Sequence, residues 1–150
     1  TSQKIHLHIY SKQPEHIIKK LRSIETKNRY FHYEGYRRHE NLIKELIKYD
    51  YGIHIFGNPL SKKIGLVYKI AFSNKNFDYI TAKLPIIVSK NLSAVKKLVD
   101  DNNLGITINY SDLSRLKKMI EKNPPYKFKG YINNFLNKQS YSSLNSFIQG

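Results

Sequence analysis

Lys75 and Asp78 stand three residues apart in the stretch Ser73-Asn74-Lys75-Asn76-Phe77-Asp78-Tyr79, which Ser73 can cap as a helix. A carboxylate on the first turns of a helix can accept both hydrogens of a vicinal diol. The helix N-terminus and a lysine meanwhile offer positive potential to phosphate. The same spacing also makes an ordinary surface ion pair. Arg37 and Arg38 follow Gly35 at the expected carboxyl end of a strand, where a guanidinium either reaches a phosphate or stands in solvent. His54, in a third strand-like run, can approach a cleft at the strand ends or serve as a hydrogen-bonded histidine at the core edge. His6 and His8 lie two apart on a strand and share a face, a conceivable metal pair. No third ligand lies near them in sequence, and no metal is expected.

The elements that must position these residues alternate. Ile5 to Tyr10 has the period of a strand, and Ile17, Ile18, Leu21 and Ile24 fall on one face of a helix. A strand is expected over residues 30–34, a helix through Leu42, Ile43, Leu46 and Ile47, and a third strand from Tyr51 to Phe56. Gly57 to Phe72, broken by Gly57, Pro59 and Gly65, reads as a functional loop with a helical turn near Val67 to Ala71. Ser73 then opens a helix through Phe77, Ile80 and Thr81. Leu84 to Ser89 is a fourth strand, with Pro85 at its start where a missing N–H is tolerated. Leu92, Val95, Leu98 and Val99 make a helix, Gly105 to Asn109 a fifth strand, and Ser111 with Asp112 opens a helix carrying Leu113, Leu116 and Ile120. This alternation predicts an α/β fold, a doubly wound (Rossmann-like) parallel sheet of about five strands with helices on both faces. Residues 4–122 form that domain, and residues 123–150 a helical tail.

Composition narrows the function. The chain has 150 residues, no cysteine and a formal net charge of +15 from 26 Lys+Arg against 11 Asp+Glu. Cysteine chemistry and thiolate zinc sites are excluded. No run of about 18 apolar residues predicts a membrane span, and no signal peptide is read at the start, so a cytoplasmic protein is expected. The lysine excess fits a codon bias towards Lys, Ile, Asn and Tyr, or peripheral contact with an anionic membrane; no nucleic-acid partner is expected. Neither Gly-x-Gly-x-x-Gly nor Gly-x-x-x-x-Gly-Lys-Ser/Thr is present, which sets aside ordinary dinucleotide and ATP-binding loops.

The stretch from Ser73 to Ser89 resembles the helix-to-strand segment of GT-B glycosyltransferases of the group 1 (family 4-like) type. There an Asn-Lys pair precedes an aromatic, an acidic residue and Tyr, then small residues, Pro and a buried strand. Phe31 to Tyr36, Tyr49-Asp50-Tyr51-Gly52-Ile53 and Asn103-Leu104-Gly105-Ile106 resemble further strand starts and turns of the same family, so the similarity covers about Lys4 to Glu121. The resemblance implies a nucleotide-sugar donor, with Asp78 on the ribose and Asn74 and Lys75 near the phosphates. Tyr36, Arg37, Arg38 and His54 are further donor-site candidates. It also implies a metal-independent reaction, an N-terminal acceptor-binding domain as partner, and a strand and basic loop preceding Lys4. Lys83 stands where the family usually has Gly, Ser73 where it has Pro, and Ile70 where many members have a second acid. Two other readings remain: a basic α/β module binding nucleic acid or an acidic partner, and a sugar-nucleotide epimerase of the same architecture.

Overall fold

The structure, a computed structural model, describes residues 4–56 and 73–148; the expected loop at Gly57 to Phe72 lies outside them. The chain divides into two compact units, Thr1–Leu42 and Ile43–Gly150.

In the first unit, β1 (Leu7–Tyr10) runs parallel to β2 (Phe31–Gly35), joined by helix α1 (Glu15–Lys27). The register sets Leu7 against Phe31, His8 against His32 and Ile9 against Tyr33, then slips so that Tyr10 meets Gly35. Successive side chains on a strand point to opposite faces. Tyr33, buried, therefore shares a face with Leu7 and Ile9, and α1 covers that face: the Arg22 guanidinium lies 5.1 Å over the Tyr33 ring, and Glu25 Oε1 accepts the Tyr33 N–H at 3.1 Å. The other face carries His8, His32 and Glu34. No residue of α1 is buried, so this unit has little core of its own.

Helix α2 (His39–Leu46) runs across the division between the units. The second unit continues with β3 (Gly52–His54), α3 (Asn74–Thr81), β4 (Ile86–Ser89), α4 (Ser93–Asn102) and β5 (Gly105–Ile108). A 3-10 turn (Tyr110–Arg115), α5 (Leu116–Lys122), a second 3-10 turn (Pro125–Phe128) and α6 (Lys129–Ile148) complete it. The sheet order is β3-β4-β5, all parallel. Every residue of the central strand β4 is buried, as its unbroken apolar run requires of a strand covered on both faces. Val95 and Val99 of α4 and Phe128 and Ile132 from the C-terminal elements join the same core.

The parallel α/β character and the order of elements are as the sequence predicts; the sheet is not. The strands pair as one sheet of two and one of three, not as a five-stranded doubly wound sheet. Side-chain periodicity reports which residues are extended. It carries no information on which strand edges exchange hydrogen bonds, and with strands of three to five residues few ladder bonds are available to define a continuous sheet.

Two helix-to-strand joints share one geometry. At the end of α3 the Leu84 N–H bonds to Tyr79 O and the Lys83 N–H to Ile80 O; at the end of α4 the Leu104 N–H bonds to Val99 O and the Asn103 N–H to Asp100 O. Each is a six-to-one closure with a left-handed residue, Lys83 at φ 59° and Asn103 at φ 53°. The following leucine, Leu84 or Leu104, is buried in each case. Among the described residues no helix is long and apolar enough to cross a membrane.

Candidate functional site

In a parallel α/β unit the helix preceding a strand runs antiparallel to it, which brings the helix N-terminus to the carboxyl ends of the strands, where such folds bind ligands. Helix α3 meets this condition. Its third residue, Asn76, is fully buried, and its side-chain Oδ1 lies 2.9 Å from Nδ1 of His54, the last residue of β3. Ser73 occupies the N-cap position with extended backbone, and its side chain makes no capping bond. The Asn76 N–H takes the Ser73 carbonyl at 3.0 Å.

Three features give this corner its electrostatics. Burial holds the His54 imidazole below its ordinary pKa, with the bond to Asn76 opposing and the Lys75 charge reinforcing the shift. The ring is therefore neutral at pH 7, and with Nδ1–H donated to Asn76 its Nε2 is an acceptor. Burial likewise lowers the Lys75 pKa. The Lys75 ammonium lies 5.7 Å from the centre of the Phe56 ring, and no carboxylate pairs with it among the described residues. Finally, Asn76 Nδ2 is buried without a hydrogen-bond partner among the described residues. A buried amide donor costs free energy unless an acceptor reaches it. A half-buried cation, an unused amide N–H and a helix N-terminus together suit an anion.

The rest of the corner is braced by hydrogen bonds between strand ends. Ser89, buried at the end of β4, accepts the Phe56 N–H at 3.0 Å, and Asn91 Nδ2 donates to Phe56 O at 3.3 Å. The Tyr79 hydroxyl donates to Ile53 O at 3.1 Å, and burial raises its pKa.

The predicted residues separate into groups. Lys75 and His54 come together on this corner. Asn74 and Asp78, four apart, share the face of α3 turned away from the buried Asn76 and Ile80; Asn74 is exposed and Asp78 half-buried. Tyr36, Arg37 and Arg38 belong to the first unit. Tyr36 is 60% exposed there, and the Arg37 guanidinium lies 6.0 Å from the Tyr10 ring and donates to Tyr36 O at 3.1 Å. Sequence reasoning missed Asn76. The i, i+4 pair Asn76 and Ile80 was the available signal, since it sets a polar residue on the helix edge that Ile80 marks as buried.

Comparison with family models places this parallel-stranded α/β chain, in class, among the C-terminal domains of glycosyltransferases. The model of the family described as "Glucosyltransferase 3-like, C-terminal domain" matches residues 1–149, and the chain belongs to that family. A search of curated proteins finds no match.

Proposed function

We propose that the second unit binds the diphosphate of a nucleoside-diphosphate sugar at the N-terminus of α3. The whole enzyme would be a GT-B glycosyltransferase that passes the sugar to an acceptor hydroxyl in cell-surface polysaccharide or glycoconjugate synthesis. The observation that carries this reading is the half-buried Lys75 beside the Asn76 side-chain amide at the carboxyl end of β3, neither of which has a carboxylate or acceptor partner for its N–H groups among the described residues. Positive charge there stabilises a departing diphosphate, so the transfer itself needs no metal. Asp78, one helical turn below the N-terminus on the outward face, accepts the two ribose hydroxyls, while neutral His54 accepts a hydroxyl hydrogen through Nε2. An N-terminal domain supplies the acceptor site and any general base. The enzyme works on the cytoplasmic side, its basic surface held to an anionic membrane.

Thermal stabilisation by nucleoside diphosphates and their sugars tests this reading. At ten times Kd a ligand adds about 1.4 kcal/mol, roughly 4 °C in a domain of this size. A base-selective rise supports it; a flat panel at millimolar ligand overturns it.

A further inference from the structure

The face of the first unit opposite α1 brings together side chains that the linear sequence keeps apart. His6 and His8 come from the β1 segment and His32 from β2, and the parallel register sets His8 directly against His32. His6 Nδ1 lies 2.9 Å from His32 Nε2. The His8 and His32 rings stack at 4.3 Å between centroids, and the His6 and His32 rings at 5.1 Å. One ring nitrogen from each of the three falls within 4.8 Å of the others. A tetrahedral zinc ion with Zn–N bonds of about 2.0–2.1 Å holds its nitrogens about 3.3 Å apart. Closing the cluster onto an ion therefore takes side-chain rotation without a change of backbone register.

A second observation concerns the carboxylate behind the rings. Glu34 Oε1 lies 2.9 Å from His8 Nδ1, with both side chains part-buried. A carboxylate that takes Nδ1–H fixes the tautomer and puts the ring lone pair on Nε2, the arrangement that supports metal-bound histidines. The sequence offers only the pair His6 and His8. The fold adds the third nitrogen from 24 residues further on, and the orienting carboxylate two residues beyond that.

We propose that His6, His8 and His32 bind one zinc ion, with Glu34 orienting His8 and a water completing the tetrahedron. Three neutral imidazoles with an open fourth position suit zinc among the first-row divalent ions. The ion ties β1 to β2 across the α1 crossover. That clasp acts where it is needed, because α1 buries no residue and Tyr33 is the one buried apolar side chain described in this unit. All four residues belong to the first unit, so the site is independent of the donor-binding reading.

The test is calorimetric titration of the chain, free of any appended histidine tag, with zinc chloride. One ion per chain with micromolar Kd is expected. His32→Ala and His8→Ala should each weaken binding at least tenfold and Glu34→Gln about tenfold, while His16→Ala leaves it unchanged. Circular dichroism of the metal-free variants checks that they fold. Zinc-induced shifts of the His6, His8 and His32 ring protons in the unaltered chain provide a readout that needs no variant. Absence of saturable binding below 100 μM (about 5.5 kcal/mol), or binding that is unchanged in His32→Ala and leaves those ring protons unshifted, overturns the proposal.

Discussion

The Tyr79 ring lies against the backbone of Gly52 so closely that a Cβ placed on Gly52 would overlap it. The ring is held there by its hydroxyl, which donates to Ile53 O. Two parts of the sequence that look unrelated, Asp50-Tyr51-Gly52 at the entry to β3 and Asp78-Tyr79 in α3, are thus one contact. It sets the helix against the strand whose end forms the candidate site. Gly105 meets a similar constraint, a Cβ there falling on the Ile86 backbone.

Gly52→Ala should therefore destabilise the chain by about 1–3 kcal/mol, the usual cost of overpacking. Tyr79→Phe, which keeps the ring and loses the hydroxyl, should cost about 1 kcal/mol. Urea denaturation midpoints compare the two, and a Gly52→Ala loss smaller than that of Tyr79→Phe would contradict the packing argument.

Lys83 adopts a left-handed backbone at the end of α3, a conformation that costs a side-chain-bearing residue about 1–2 kcal/mol. Replacing it with the residue best suited to that φ, in Lys83→Gly, should raise stability by about 1 kcal/mol, or Tm by roughly 3 °C. Asn103, in the same position at the end of α4, should gain less from Asn103→Gly, because asparagine already tolerates this region.

Burial gives His54 a folded-state pKa below its ordinary value of about 6.5. Above that value the ring is neutral in both folded and unfolded chains and contributes no pH dependence. As pH falls through it the unfolded chain takes up a proton first, so stability drops by up to about 1.4 kcal/mol per pH unit until the folded-state pKa is reached. His54→Gln, which retains an N–H donor for Asn76, should lack this component. Urea titrations at pH 7.5, 6.5 and 5.5 would show the two stability curves diverging only at the acid end.

Lys75 and Asp78 separate phosphate from ribose recognition. Lys75→Met keeps the apolar stem over Phe56 and removes a half-buried charge, so the unliganded chain should become more stable while stabilisation by nucleoside diphosphates falls at least tenfold in apparent Kd. Asp78→Asn should weaken nucleoside diphosphates far more than inorganic diphosphate. Thermal shifts with nucleoside diphosphate and with inorganic diphosphate distinguish the two roles.

Much of this was legible in the residues. The apolar run of β4 and the period-two alternation of β1 mark strands, and Ile17, Ile18, Leu21 and Ile24 mark α1, because burial on one face leaves a periodic trace. The Asn-Lys…Asp-Tyr helix is visible for the same reason. Pairing left no such trace: nothing in Tyr10 or Gly52 says which edge it bonds to, and a five-stranded sheet was expected where sheets of two and three are found. The same blindness hid His32 as the neighbour of His8, since register is a property of the pair of strands. Asn76 escaped notice because an asparagine next to a lysine reads as polar surface, whereas its helix phase is that of Ile80.

The six-to-one joint at Lys83 anchors one end of α3, and the buried run of β4 begins three residues later. From there the eight residues of α3 rise about 12 Å in one direction, and the four residues of β4 extend about 13 Å in the other. Helix and strand act as two rulers of equal length read from a common zero, which is why the helix start comes level with the strand end. A single-residue deletion inside α3 would shorten one ruler by about 1.5 Å and turn everything ahead of it by about 100°. Asn76 would swing out of the core and Lys75 away from Phe56, although every side chain named here would still be present. The segment from Asn74 to Pro85 should therefore accept many exchanges of residue type and no change of length.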